Sequence, residues 1–560
     1  MIRHYSTDPE KFEGNTPMPI QNLPDVDAVV IGAGFAGLRT IHTLRKLELS
    51  MQVFEAGDDV GGTWYWNRYP GARTDTESWA YCFSFDREIW EGWDFRERFS
   101  AQPDTLAYLR HVADKHDMRK HIRFSTRVTG ATFDEESNRW TVTTEDGLQI
   151  SCRWLITGLG WLGVAFTPPF PGADTFEGES YVTSQWPHEP VDLAGKRVGV
   201  IGTGATGIQV IQSVAHVAEH LTVFQRTPNY VMPGRNHALS PEQKEGLRHE
   251  YEQVWEKAYN HVFGFPMDSP QRLGSQLSDE ELEKVFEAGW EAGGFRFIFE
   301  TVDDMLVDQR VNDAAAEFVR RKIRTIVKDP QTAELLCPTS HPIGGKRPPL
   351  GSFYYETFNR PNVDLVSVRE DPILEVTPTG LRTTSGTEYE LDVIIYATGF
   401  DAITGPLASM DVRGVAGRTI TQEWKDGAAV LFGLSAPGFP NLFTILGPQA
   451  PFASHPPVIE TQVDFMEKIL EKALAVGATR VEATAEAAQA WSDQCDAILQ
   501  ATILEQGMGD RPWFLGANVP GKKASTLCFL GGLGAYVAAV KQEVEGGFSS
   551  YALDAAPVLT

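Results

Sequence analysis

Cysteine is scarce and scattered in this chain of 560 residues. Cys82, Cys152, Cys337, Cys495 and Cys528 form no CxxC and no close pair. This excludes a disulfide framework and a cysteine-built metal site, and the expectation is a reduced, cytoplasmic protein. No HExxH or other defensible histidine ligand spacing is present, so no metal is expected. Long apolar runs are missing too. The best, TLCFLGGLGAYVAAV at 526–540, is shorter than the roughly 20 residues of a membrane span and rich in glycine, so it reads as a buried helix. The opening MIRHYSTDPEKFEGN lacks the apolar core of a secretory leader. Positive charge is outweighed: 49 Lys and Arg face 75 Asp and Glu, a net charge of −26. That balance disfavours nonspecific binding to nucleic acid or to an anionic membrane, both of which need clustered cations. With no low-complexity tract, 42% hydrophobic and 22% charged residues, the composition is globular and large enough for two or three domains.

What the chain does contain is one pattern written twice. In DAVVIGAGFAGLRTIHTLRKLELSMQVFEAG, 27–57, a buried strand through Val29, Val30 and Ile31 runs into Gly32, Gly34 and Gly37. LRTIHTLRKL follows at helical spacing, and a second strand ends on Glu55. The first glycine of such a turn permits the tight bend, the second admits a pyrophosphate to the backbone, and the third lets helix and strand close up. The helix N-terminus faces the phosphates. Glu55 is then placed to accept hydrogen bonds from ribose hydroxyls.

The pattern recurs in KRVGVIGTGATGIQVIQSVAHVAEHLTVFQRTPNY, 196–230, with Gly202, Gly204 and Gly207 at the turn. Thr203, Ala205, Thr206 and Gln209 surround these glycines and join the candidate cofactor contacts. Here the second strand ends on Arg226 and Thr227, at the offset where the first unit has Glu55. A carboxylate would repel a 2′-phosphate, whereas a guanidinium can bind one through two hydrogen bonds. The first unit therefore suits FAD and the second NADPH, with hydride passing from NADPH to the flavin. WLITGLG (154–160) and DVIIYATGFD (392–401) read as two strands of the flavin sheet, with the NADPH unit inserted between them.

GGTWYWNRYPGARTD, 61–75, is the most specific stretch, and its paired glycines followed by Trp64, Tyr65, Trp66, Tyr69 and Pro70–Gly71 are unlike generic core. Together with the two nucleotide units it resembles the FAD- and NADPH-dependent Baeyer–Villiger monooxygenases of the single-chain type. The likeness continues through GGKRPPLGSFYYETFNRPNVDLV (344–366), YATGFDA (396–402), APGFPNLFTILGPQAPFA (436–453) and RPWFLGANVPGKK (511–523). It implies that NADPH reduces FAD, that O2 adds to flavin carbon 4a as a peroxide, and that one oxygen is inserted next to a ketone carbonyl to give an ester or lactone. The resemblance assigns Arg347 to stabilising the peroxide anion and the tetrahedral adduct, with Asp75 orienting it. Lys346 joins Arg226 and Thr227 at the NADP phosphate. Trp513 is assigned to the nicotinamide-side ribose and the substrate pocket. Thr63, Trp64, Trp66, Arg73, Asp75 and Tyr81 match flavin-side positions, as does Val128 through its backbone. FEGESYVTSQWP, 176–187, departs from the family pattern. Phe176, Gly178, Trp186 and Pro187 match, but Val182 stands where a histidine is expected, which bears on the coupling of NADPH binding to oxygenation.

The resulting expectation is an α/β protein with two Rossmann-like domains and a helical insertion. Residues 1–155 form the first FAD segment, 156–233 the first NADP segment, 234–340 the insertion, 341–390 the second NADP segment and 391–560 the second FAD segment. The insertion should shape the substrate entrance, where Phe295, Phe297 and Phe299 either line it or pack in the core. GANVPGKKAS, 516–525, is a candidate lid. Partners are a small ketone and O2, with no nucleic acid or membrane, in a monomer or homo-oligomer. Two rivals stay open: a related monooxygenase oxidising sulfur or nitrogen, and a nonenzymatic flavin-based redox sensor.

Overall fold

The computed structural model describes residues 21–510 and 512–555. Its first sheet has nine strands. Val26–Ile31 lies in its centre, parallel to Met51–Phe54 on one side and to Leu148–Thr157 on the other. An antiparallel meander, Val128–Asp134 to Arg139–Thr144 to Leu148–Thr157, extends one side. Late in the chain, Asp411–Arg413 and Leu442–Thr444 return to it as parallel partners of Val128–Asp134 and Leu148–Thr157. The second sheet is all parallel, with strands in the order Val363–Ser367, His220–Gln225, Arg197–Ile201, Val393–Tyr396, Glu179–Val182. Its central strands carry Val198, Val200, Val223, Val393 and Ile395, all fully buried, as expected of a sheet covered on both faces.

Both glycine turns obey the same steric rule. Gly32 and Gly202 hold φ of +99° and +109°, which side chains other than glycine's adopt with strain. A Cβ on Gly37 would lie 1.9 Å from the Gly32 carbonyl oxygen, and one on Gly207 would lie 2.1 Å from that of Gly202. The helices Phe35–Lys46 and Ala205–Val214 therefore start hard against their strands.

One strand is not where the sequence reading put it. Val393–Tyr396, expected in the flavin sheet, pairs with Arg197–Ile201 in the second sheet. The reason lies at the turns: a Cβ on Gly32 would meet the Gly158 carbonyl, and one on Gly202 would meet the Ala397 carbonyl. Gly158 and Ala397, each just past the strand beside its glycine turn, are thus equivalent positions in two different sheets. The boundary set at 391 falls just before a strand of the second sheet.

The insertion is helical as expected, with Pro241–Arg248, Tyr251–Asn260, Asp279–Ala292 and Gln309–Ile326 as its main elements. It straddles two cores. Val254, Trp255 and Ala258 pack with the first sheet's layer, whereas Leu282, Phe286 and Phe318 pack with the second. The 526–540 stretch divides into the short strand Cys528–Phe529 and a helix, Leu533–Glu545, whose Leu533, Tyr536 and Val540 are buried. No helix among the described residues is long and apolar enough to cross a membrane.

Candidate active site

The loops at the carboxyl ends of the two sheets and the insertion enclose a cavity of about 890 Å³. Gly34, Thr63, Trp64, Arg73, Asp75 and Tyr81 line one side of it. Thr203, Gly204, Ala205, Thr206, Gln209, Arg226 and Thr227 line another, and Lys346, Arg347 and Trp513 also reach it. These residues were singled out from scattered motifs, and the fold brings them to one place. Gly32, Gly37, Glu55, Trp66, Val128 and Gly207 do not line it. The glycines set the turns from behind. Val128 packs with Val29 and Ile31 in an apolar core, and Trp66 sets its ring edge against Tyr65 at 4.9 Å.

Around the first turn the backbone is bare. Gly61 donates its N–H to the Ala33 carbonyl at 3.0 Å, and a Cβ on Gly62 would come within 2.9 Å of Gly34 Cα. Glu55 is buried at the strand end and accepts from the Ala33 and Gly57 N–H groups at 2.8 and 2.7 Å. Burial pushes its carboxyl up, and these donors partly offset the rise. A glycine-lined cradle with an acid at its second strand is what the pyrophosphate and ribose of FAD require, so the residues fit that group.

Next to this cradle, Arg347 Nη1 pairs with Asp75 Oδ2 at 2.8 Å, while Asp75 Oδ1 is buried without a hydrogen-bond partner. The Arg347 guanidinium also lies 5.6 Å from the centroid of Phe295, and its carbonyl accepts from Asn229 Nδ2 at 2.9 Å. An arginine is cationic at any working pH, so a fixed positive charge faces the cavity. It has a local effect on titration. Together with burial, the larger cause, it holds His455 down to about 4. Burial pushes the Tyr69 and Tyr81 phenols up to about 12.

Gln209 joins the two halves. Its Oε1 accepts from Tyr69 Oη at 3.0 Å and from the Arg73 N–H at 3.4 Å, and its Nε2 donates to the Arg73 carbonyl at 3.2 Å. The Arg73 side chain turns away to Glu97, Nη1 to Oε2 at 3.0 Å. At the second turn, Thr203 Oγ1 donates to the Thr227 carbonyl at 3.2 Å, and Arg226 sits exposed at the strand end.

Sequence reasoning missed Arg369, whose Nη2 donates to Thr227 Oγ1 at 3.1 Å. It follows the strand Val363–Ser367, which runs in register beside His220–Gln225. Parallel strand ends gather ligands, but the register is not written in either segment alone. Phe263, Phe452 and His455 were also missed. The open choice over the phenylalanine cluster divides: Phe295 and Phe299 line the cavity, and Phe297 is fully buried in the core.

The comparisons with known proteins agree with this geometry. The family profile described as flavin-binding monooxygenase-like matches residues 26–241. A Baeyer–Villiger monooxygenase of Pseudooceanicola batsensis is 43% identical over 532 residues, covering 95% of this chain and 96% of that protein. The chain belongs to the Baeyer–Villiger monooxygenases. A phenazine N-monooxygenase of Lysobacter antibioticus is 41% identical over 533 residues, covering 95% and 97% of the two chains. The crystal structure of a Rhodococcus cyclohexanone monooxygenase bound to NADP+ superposes with a TM-score of 0.93 at 42% identity, covering 95% of this chain and 100% of that one. This Baeyer–Villiger monooxygenase is accordingly an FAD- and NADPH-dependent oxidoreductase on two Rossmann-like domains, and it uses O2 to insert one oxygen next to a ketone carbonyl.

Proposed function

We propose that Arg347 and Asp75 form the catalytic pair of this monooxygenase. When bound, FAD would pass the two electrons of NADPH to O2, from which the inserted oxygen atom comes. The protein's residues arrange where charge goes. Attack on a ketone carbon moves an electron pair onto the carbonyl oxygen, and a permanent cation beside that oxygen lowers the energy of the adduct. Asp75 holds the guanidinium in place through the 2.8 Å contact. That pair, at the junction of both dinucleotide cradles, is the observation that carries the reading.

The nine-stranded sheet holds FAD through the turn at Gly32, Gly34 and Gly37, with Glu55 at the ribose. The five-stranded sheet holds NADPH through Thr203, Gly204, Ala205 and Thr206. Arg226, Thr227, Lys346 and Arg369 take its 2′-phosphate, because guanidinium and ammonium groups around one hydroxyl suit a dianion. Trp513 and the Phe263–Phe299 stack form the substrate wall. The protein works as a small-molecule enzyme of the cytoplasm, without nucleic acid, and its free, buried cysteines fit that compartment.

The experiment is turnover of FAD-loaded protein with NADPH and 18O2 against a panel of ketones and N-heteroaromatics. An ester or lactone carrying one labelled oxygen is the expected result. NADPH consumption that yields only hydrogen peroxide, or N-oxides in place of esters, would overturn the ketone reading. The phenazine N-monooxygenase relative makes the second outcome the specific rival.

A further inference from the structure

The substrate side of the cavity is mostly hydrocarbon. Phe263 stacks on Phe299 with centroids 4.7 Å apart, Phe452 stacks over Trp161 at 6.1 Å, and Trp513 closes on both Trp161 and Phe452 at 5.8 Å. One side chain in this wall is of another kind. His455, the first residue of the helix His455–Val476, sets its imidazole edge-on to Trp161 at 4.6 Å and lines the cavity together with Arg347. The described residues give neither of its ring nitrogens a hydrogen bond.

The ring is neutral at working pH. Burial and the Arg347 cation hold its pKa down at about 4, and the positive end of the helix acts in the same direction. A neutral imidazole carries one N–H and one bare nitrogen, so it can both give and take a hydrogen bond. A polar group in an aromatic wall costs free energy when a ligand covers it without pairing with it. The chain supplies no such partner, and the half-buried ring opens onto the cavity, so a bound molecule that displaces water there is the partner it can select. A leucine would fill the same place without that cost.

We infer that His455 is a specificity-determining residue that hydrogen-bonds a second polar group on the substrate, so that the enzyme prefers ketones bearing a hydroxyl or a second carbonyl over hydrocarbon ketones of the same shape. The inference rests on the ketone-oxygenating reading above. The flavin is the competing partner for the imidazole, and the test separates the two.

The probes are ring-hydroxylated acetophenones and hydroxycyclohexanones, each paired with its parent ketone. The native enzyme is expected to favour the hydroxylated member of at least one pair in kcat/KM by about tenfold, the size of one neutral hydrogen bond. His455→Leu should erase that preference, chiefly through KM of the hydroxylated member, and His455→Gln should retain part of it. Flavin absorbance per protein reports folding and FAD retention, and if His455→Leu loses FAD then His455→Gln carries the comparison. The inference falls if the native enzyme shows no preference, if the preference survives in His455→Leu, or if both members of a pair slow equally, which would place His455 against the cofactor. If no enzyme form makes ester from any ketone, the underlying ketone reading fails and takes this inference with it. A normal ester yield with an unchanged preference sinks only the inference.

Discussion

Arg347 is one cation with two demands on it, since it must face the cavity and stay fixed. Asp75 meets the second demand and keeps one buried oxygen unpaired. Arg347→Ala should lower ester formation by about 10²- to 10³-fold, the range for removing a preorganised charge from an oxyanion. Anaerobic reduction of FAD by NADPH should persist in the variant, and stopped-flow absorbance measured beside product analysis checks both. Arg347→Lys should recover little, because an ammonium lacks the planar fork that meets the carboxylate. Arg226→Ala belongs to the other end of the cavity. It should lower the NADPH-over-NADH ratio of kcat/KM by about tenfold or more, as loss of a charge-assisted bond to phosphate predicts; an unchanged ratio would remove Arg226 from the phosphate site. These residues were legible because each sits at a fixed offset inside a motif. Arg369 and His455 were not, because what makes them notable is a neighbour far away in sequence, Thr227 for the first and Trp161 with Arg347 for the second.

At the scale of elements, the decisive contact is between the loop 69–73 and the helix Ala205–Val214. Gly71 has φ of +85°, and a Cβ there would lie 2.4 Å from both the Gln209 carbonyl oxygen and Ser213 Oγ. The loop can reach Gln209 only because residue 71 has no side chain. Gly71→Ala should therefore push the flavin-side loop off the helix and loosen the Tyr69–Gln209–Arg73 bonding. A shift of about 1 Å between reacting groups can cost about a hundredfold in rate. The expected outcome is much slower flavin reduction by NADPH with FAD content unchanged, and rapid-mixing kinetics together with the flavin spectrum decide it. Sequence patterning was strong for elements with internal grammar, such as the two glycine turns and their helices. It failed for Val393–Tyr396, since a buried parallel strand reads alike whichever sheet receives it. The missing histidine at Val182 shows the same limit. Val182 pairs with Tyr396 at the edge of the second sheet and packs against an apolar cluster that includes Ile201 and Phe224. Its local role is packing, which no motif comparison displays.

On the scale of the whole molecule, the two sheets and the insertion are held together by buried polar joints as well as by apolar cores. Arg98 pairs with Glu77 at 3.1 Å and donates to the carbonyls of Ala292 and Gly293, fastening the first segment to the insertion. Glu460 makes a second joint. Its carboxylate accepts from the Ser84 N–H at 3.0 Å, the Phe85 N–H at 3.0 Å, Tyr259 Oη at 2.9 Å and the Ser84 hydroxyl. One side chain on the helix His455–Val476 thereby binds the 84–85 loop and the insertion helix Tyr251–Asn260. The sequence showed that an insertion exists and that it is helical. It could not show this joint, whose partners lie far apart along the chain. Burial, the largest cause, pushes the Glu460 carboxyl above its ordinary value, against the pull of its donors. A carboxyl raised in the folded state lends stability that is complete below its unfolded pKa and is lost as pH rises through the folded one. Two substitutions separate the joint from its titration. Glu460→Ala leaves two N–H groups and one hydroxyl without an acceptor, since the Ser84 and Tyr259 hydroxyls lie 3.0 Å apart and one can donate to the other, at a cost on the order of 3–5 kcal/mol after partial relaxation. In Glu460→Gln the remaining oxygen can take both N–H groups, and the amide can donate to hydroxyls that rotate to accept. Glu460→Ala should therefore unfold at clearly lower temperature at every pH. Glu460→Gln should stay close to the native protein and lose the part of its pH dependence that Glu460 supplies. Thermal unfolding followed by flavin release from pH 5 to 8 measures both, and equal destabilisation of the two variants would show that packing, not hydrogen bonding, holds this joint.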